Sequence, residues 1–245
     1  MIMRALLRWL VLLVVAVLAL QLFFVSRIAL MALVNPHSTT FERSEAWRIY
    51  QDKGRLPWRQ QWTDYDNISD HLKRAVIASE DDAFSYHDGV DWEAIEKAWQ
   101  KNAQAQSQAS RRSNNGASTS RPPKLVGGST ITQQLAKNLF LSGERTLLRK
   151  GQEFVLTVLL ERLLNKRRIL ELYLNHVEWG EGVFGAEAAA RHYFRKSAAQ
   201  LSPWEAARLA VMLPRPRYFE KLPDSSYLAD RSAVIAARLW HAELP

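Results

Sequence analysis

Residues 9–25 read WLVLLVVAVLALQLFFV, with no charge and one strongly polar side chain, Gln21. A helix that is apolar on every side needs apolar surroundings, in a core or in lipid. Arg4 and Arg8 precede the run, Arg27 follows it, and IALMALV carries the apolar character on to Val34. A bilayer-crossing helix needs about 20 such residues. The run is slightly short alone, and snorkelling by Arg27 lengthens it. Arginines on the short N-terminal side favour a cytoplasmic N-terminus, leaving the rest outside the membrane. A cleaved signal peptide is the main rival, but no clear Ala-x-Ala signal follows the run. Residues 1–34 are therefore expected to be a cytoplasmic N-terminus and a single transmembrane anchor.

The remaining chain is long enough for one ordinary domain: the total is 245 residues. The formal charge of +8 points to an anionic partner, either nucleic acid, anionic lipid or a phosphate-bearing substrate. Nucleic acid conflicts with a translocated domain, and no binding module is visible. The absence of cysteine excludes disulfides and thiolate metal sites.

Residues 35–65, with prolines at 36 and 57, read as a connecting segment, with Trp58 and Trp62 as candidates to receive a lipid. Residues 66–245 read as one mostly α-helical domain with weak strand alternation. Ser69 is a plausible N-cap; Leu72, Ala75, Val76 and Ser79 share a face, so Glu80 falls at a helix end. A short helix begins near Asp91. Residues 100–124, rich in Gln, Asn, Ser and Ala, read as a flexible loop. The apolar region from Glu153 to Val177 divides near Asn165, and Ser202-Pro203 opens a later helix.

Three stretches carry chemistry. Glu80, Asp81 and Asp82 stand together where a buried helix ends, and clustered carboxylates that lose hydration hold protons more tightly. In GGSTITQQLAKNLFL, Ser129 and Thr130 open a helix whose backbone N–H groups form a natural anion site. Thr130, Gln133 or Gln134, and Lys137 then make a polar stripe beside Ile131, Leu135 and Leu139. Its donors suit sugar oxygens and phosphate. The stretch is neither a P-loop nor a G-x-S-x-G elbow. Finally, Arg145, Arg149 and Lys150 cluster before Glu153, with Arg149 and Glu153 at i,i+4. This reads as a surface salt bridge or as a cationic patch beside a phosphorylated substrate. The basic cluster Lys166–Arg168 reads as a solvated helix carrying an Arg167–Glu171 pair.

The order of these blocks is more specific than any one of them. Glu80-Asp81-x-x-Phe84-x-x-His87-x-Gly89, then Gly127 to Asn138, then Arg149-Lys150-x-x-Glu153 resembles the peptidoglycan glycosyltransferases, which include the glycosyltransferase domain of class A penicillin-binding proteins. ILELYLNHVEWGEGVFGAEAAARHYF and LSPWEAARLAVMLPRP are similar to the family's fourth and fifth blocks. No S-x-x-K occurs in the chain, so a polymerase without a cross-linking domain is expected. Arg195 stands where such proteins often have glycine, which leaves the local turn open.

The resemblance implies a lysozyme-like helical fold in the bacterial inner membrane, with the catalytic domain periplasmic. The implied substrates are lipid II and the growing glycan chain, with other cell-wall synthesis proteins as further partners. Glu80 would be the general base and Glu153 the second catalytic carboxylate, to orient the cations, assist the leaving group or help hold a divalent ion. Lys137, Arg145 and Lys150 would hold the leaving pyrophosphate, with Gln134 and Asn138 as hydrogen-bonding neighbours. Asp81, Phe84, His87, Ser129, Thr130, Gln133 and Arg149 complete the implied substrate-binding set, although Asp81, Phe84 and His87 could equally shape the loop. No metal ligands are assigned; Mg2+ or Mn2+, if used, would bind jointly with the pyrophosphate. A lysozyme-like hydrolase or lytic transglycosylase is the rival, but its neutral leaving group would not need the cations. A non-enzymatic scaffold would leave both glutamates without a task.

Overall fold

The computed structural model describes residues 2–114, 127–141 and 146–245, the side chains of 110–114 excepted. The apolar run lies within α1, Ile2–Met31, which is long and apolar enough to cross a membrane, at mean hydropathy 2.7. Its lower turns are exposed, whereas Phe24, Ile28 and Met31 are buried against the domain. Arg8 and Arg27 lie 19 residues apart. That is about 28 Å of helix, close to the thickness of a bilayer's hydrocarbon core.

The segment after the anchor is more than a connection. Thr39 and Glu42 form a capping box that starts α2, Thr40–Lys53, and the chain leaves it through Gly54. Buried Ile49 and a bond from Thr40 Oγ1 to Leu139 O tie α2 to the domain. Trp58 stacks on Phe184 at 4.5 Å, and Trp62 lies under the Arg168 guanidinium, so both are held by the protein.

A small sheet joins β1, Arg59–Gln60, to β2, Glu178–Gly180, and β3, Val183–Phe184. Its order is β1-β3-β2, with β1 parallel to β3 and β2 antiparallel. Gly182 turns β2 into β3 at φ +74°, and a Cβ there would strike Pro57 O.

The core is helical. In α3, Asp70–Glu80, capped by Ser69, Leu72, Ala75 and Val76 are buried as expected. It packs with α9, Pro203–Met212, and α11, Ser226–Arg238. On the other side, α5, Ile131–Phe140, packs with α6, Leu147–Leu163, and α7, Lys166–His176. Asn165 caps α7, which accounts for the break expected there. Between β3 and α9 lies α8, Ala186–Phe194, and the short α10, Pro216–Phe219, follows α9.

Two expectations are corrected. The low-complexity stretch continues α4, Trp92–Asn114, rather than opening a loop at 100. Its Ala, Gln, Lys and Arg residues are good helix formers, with no Gly or Pro to interrupt them before Gly116. The rest of that expected loop, 115–124, lies outside the described residues. The Arg167–Glu171 pair is replaced by two others, Arg167–Asp66 and Arg168–Glu171, both at 2.6 Å. Arg167 is drawn over the Tyr65 ring, and Glu171 is held by the Tyr65 N–H at 2.7 Å.

Candidate active site

The site forms where the C-terminus of α3 meets the N-terminus of α5. Asp81 caps the junction: Oδ2 accepts from Ile131 N at 2.9 Å, and Oδ1 lies 2.8 Å from His87 Nε2. His87 Nδ1 accepts from Gly89 N at 3.0 Å, which assigns the ring proton to Nε2 and directs it at Asp81. Gly89 sits at φ +85°, and a Cβ there would come within 2.7 Å of Thr157 Cγ2. Its carbonyl accepts from Thr130 Oγ1 at 2.7 Å. Thr130 and Gln133 in turn form the capping box of α5.

This network reassigns part of the expected substrate-binding set. Phe84 is fully buried beneath the Lys166 ammonium and offers no surface to a substrate. Asp81, His87 and Thr130 spend their polar atoms on the loop and the helix start, as shape-keeping residues. Gln133 uses its carbonyl on the Thr130 N–H and lines a hollow beside Ser129 and Lys150, whereas Gln134 reaches Glu80. Asn138 is buried on α5.

Glu80, the last residue of α3, accepts from Gln134 Nε2 at 3.1 Å. Gln134 Oε1 accepts from the Tyr173 hydroxyl at 3.0 Å, so a tyrosine on α7 fixes the amide that fixes the carboxylate. Burial raises the Glu80 pKa above the ordinary carboxylate value. The Gln134 bond and Lys137 oppose that shift, and Asp81 adds to it. Asp82 takes no part, because its carboxylate turns outward to Arg238 at 2.9 Å. The expected crowding by three carboxylates is therefore crowding by two. Burial also holds the Tyr173 hydroxyl well above its usual pKa, keeping it a proton donor.

The facing wall belongs to α5 and α6. Glu153, buried on α6, pairs with Arg149 at 3.1 Å and with Lys150. Lys137 feels both carboxylates. Its side chain keeps exposed surface. Partial loss of hydration lowers its pKa, Arg149 and Lys150 lower it further, and Glu153 and Glu80 pull it back. Exposed Ser129 lines a 310 Å³ hollow together with Lys150, Trp99 and Ile95. Arg145 lies outside the described residues.

The structure thus brings together Glu80, Gln134, Lys137, Arg149, Lys150 and Glu153, with Ser129 at the edge. A proton acceptor on α3 is joined through Gln134 to the helix that carries Lys137, beside the cations of α6, an arrangement suited to moving a hydroxyl proton while an anionic group departs. Tyr173 was not among the expected residues; a hydroxyl amid the leucines of ILELYLNHV was its only signal. Among the described residues, no three His, Asp or Glu side chains gather as a metal site.

Comparison with known proteins adds an independent line. The family model described as Transglycosylase matches residues 52–239. The chain is 52% identical over 228 residues to a protein named biosynthetic peptidoglycan transglycosylase from Burkholderia orbicola, covering 93% of this chain and 86% of that protein. Proteins of the same name from Burkholderia ambifaria and Burkholderia thailandensis are each 51% identical, with 93% of this chain covered and 86% and 83% of theirs.

Proposed function

The chain belongs to the transglycosylase family, and from that premise we propose how its residues join one lipid-linked sugar to another. The protein polymerises lipid II into peptidoglycan glycan strands, forming β-1,4 bonds with release of undecaprenyl pyrophosphate. Glu80 takes the proton of the acceptor's C4 hydroxyl. The freed oxygen attacks C1 of the growing chain's terminal sugar, and the C1–O bond to diphosphate breaks with inversion. The bonding pair leaves on the diphosphate, and Lys137, Lys150 and Arg149 stabilise the charge that builds there. Arg145 belongs to the same group by its place in the motif. Glu153 holds Arg149 and Lys150 in position, which supports an orienting role over a second proton transfer.

One observation carries this reading: Glu80 accepts at 3.1 Å from Gln134, which lies one helical turn before Lys137 on α5. The base and the diphosphate cradle therefore meet on α5. Turnover needs Glu80 ionised and Lys137 protonated. The upward shift of one and the downward shift of the other narrow the active pH range from both sides.

The anchor supports a single pass through the bacterial inner membrane, with a cytoplasmic N-terminus and a periplasmic catalytic domain. Gln21 Nε2 donates to Gln152 Oε1 at 3.0 Å, and Arg168, just past the end of α6, donates to Met31 O at 2.8 Å. These contacts lay α6 alongside α1 in the same direction. Exposed Leu147 and Leu148, at the end of α6 that lies beside the apolar run, then face the lipid that carries the substrates. Other cell-wall synthesis proteins remain proposed partners. Glu153 is already engaged by two cations and fits a metal poorly, so any Mg2+ or Mn2+ would arrive on the diphosphate; substrate-free protein should not retain Mn2+ in equilibrium dialysis.

The test is incubation with purified lipid II. Long glycan with released undecaprenyl pyrophosphate is the expected product, whereas shortening of preformed strands would assign the protein to the lytic class.

A further inference from the structure

Gln21 is the one strongly polar side chain in the apolar run. A polar group within a membrane-spanning segment is costly and calls for a partner. Gln21 also stands at a boundary. Residues 2–20 of α1 are all exposed, and Gln21 is the first that the domain covers in part. Beyond it Phe24, Ile28 and Met31 turn inward at helical spacing and are buried. Polar contacts hold α1 at both ends of this stripe. At the upper end Arg168 Nε donates to Met31 O at 2.8 Å, a main-chain contact that any residue at 31 would supply. At the lower end Gln21 Nε2 donates to Gln152 Oε1 at 3.0 Å, and Gln152 Nε2 lies 3.5 Å from Gln21 Oε1. That contact needs an amide at each of two positions.

The apolar packing between the two contacts is non-directional and leaves the angle between the helices to them. From Gln21 to Met31 the helix runs about 15 Å, so a swing of about 15° about the upper contact moves the lower end by about 4 Å, more than a hydrogen bond spans. Gln152 adjoins Glu153 and follows Arg149 and Lys150 within one helical turn. We infer that Gln21 is a positioning residue for glycan polymerisation: paired with Gln152, it holds α6 against the anchor and so fixes the tilt of the cation wall over the bilayer. The role rests on the proposed reaction, with lipid II as substrate and α1 across the membrane. There the lipid tail keeps the diphosphate at one height, and the wall has to meet it. Without the pair, only a fraction of molecules present Arg149 and Lys150 at that height. Substrate binding selects that fraction, so KM rises while kcat at saturation stays.

The test compares lipid II turnover by the full chain in proteoliposomes and in detergent micelles, where no bilayer sets the height of the diphosphate. In proteoliposomes Gln21→Leu should raise KM about three- to fifteen-fold and leave kcat unchanged. In micelles both constants should match wild type. Gln21→Leu/Gln152→Leu leaves neither amide unpaired, so it should melt with wild type, yet its KM in the bilayer should stay raised. Gln51→Leu, which removes an exposed amide of α2, should match wild type throughout. An unchanged bilayer KM in the single variant, its recovery in the double variant, or an equal loss in micelles would each overturn the positioning role. Wild-type protein that turns over lipid II in neither medium would overturn the proposed reaction instead.

Discussion

The two sides of the groove are built differently. On the Glu80 side, Asp81, His87, Gly89 and Thr130 are joined by hydrogen bonds of 2.7 to 3.0 Å and are largely shielded from water. On the α6 side, Lys137 and Lys150 keep exposed surface, and Leu147 and Leu148 reach outward uncovered. A base must meet one hydroxyl in one geometry, which calls for a rigid, fully satisfied mount. A diphosphate with a long lipid tail needs charge more than shape, so its wall can stay open and adaptable.

Lys137→Met strikes the boundary between the two sides and should have the largest effect of the substitutions that sharpen this contrast. Loss of its charge should lower kcat about 10²–10³-fold with melting unchanged, as steady-state lipid II turnover and a thermal melt would report. Asp81→Asn tests the rigid side. An amide cannot accept from both Ile131 N–H and the His87 ring, so unfolding in denaturant should show a loss of about 2–3 kcal/mol. A loss under about 0.5 kcal/mol would mean that the mount is not rigid.

Gln134→Leu removes the bond that lowers the Glu80 pKa. The pKa should then rise further, and the acid limb of kcat/KM should move to higher pH while the alkaline limb stays. A shift to lower pH would contradict the assigned hydrogen bond. The smallest effect is expected away from the groove. Arg195 ends α8 at φ 58°, a left-handed position that costs a side chain about 1 kcal/mol. Arg195→Gly should raise the melting temperature by roughly 2–4 °C and leave activity alone.

Much of this was legible in the sequence because it rests on short-range rules. The caps at Ser69 and Ser202, the break near Asn165 and the buried face Ile131–Leu135–Leu139 follow from local pattern, as does Glu80's place at a helix end. Contacts made across long separations did not show. Tyr173 reaches Gln134 over 39 positions, and Asp82 turns to Arg238 over 156, so neither partner could be read from spacing. The same holds for Arg167, whose acid lies on a distant turn and not one helical turn ahead. The motif named residue types, yet dividing them into working groups and mounting groups needed the burial of Phe84 and the spent hydrogen bonds of Thr130.

Glu80→Gln tests the central claim most directly, when its lipid II turnover and its stability are measured together at pH 8. Turnover should fall about 10³-fold or more. The folded-state pKa of Glu80 lies above its unfolded value, so the stability tied to its proton is present at low pH and is lost as pH rises through the folded pKa. The neutral amide escapes that loss, and the variant should melt higher than wild type at pH 8, with the difference closing below pH ~4.5. Near wild-type turnover in a folded Glu80→Gln protein would contradict the account.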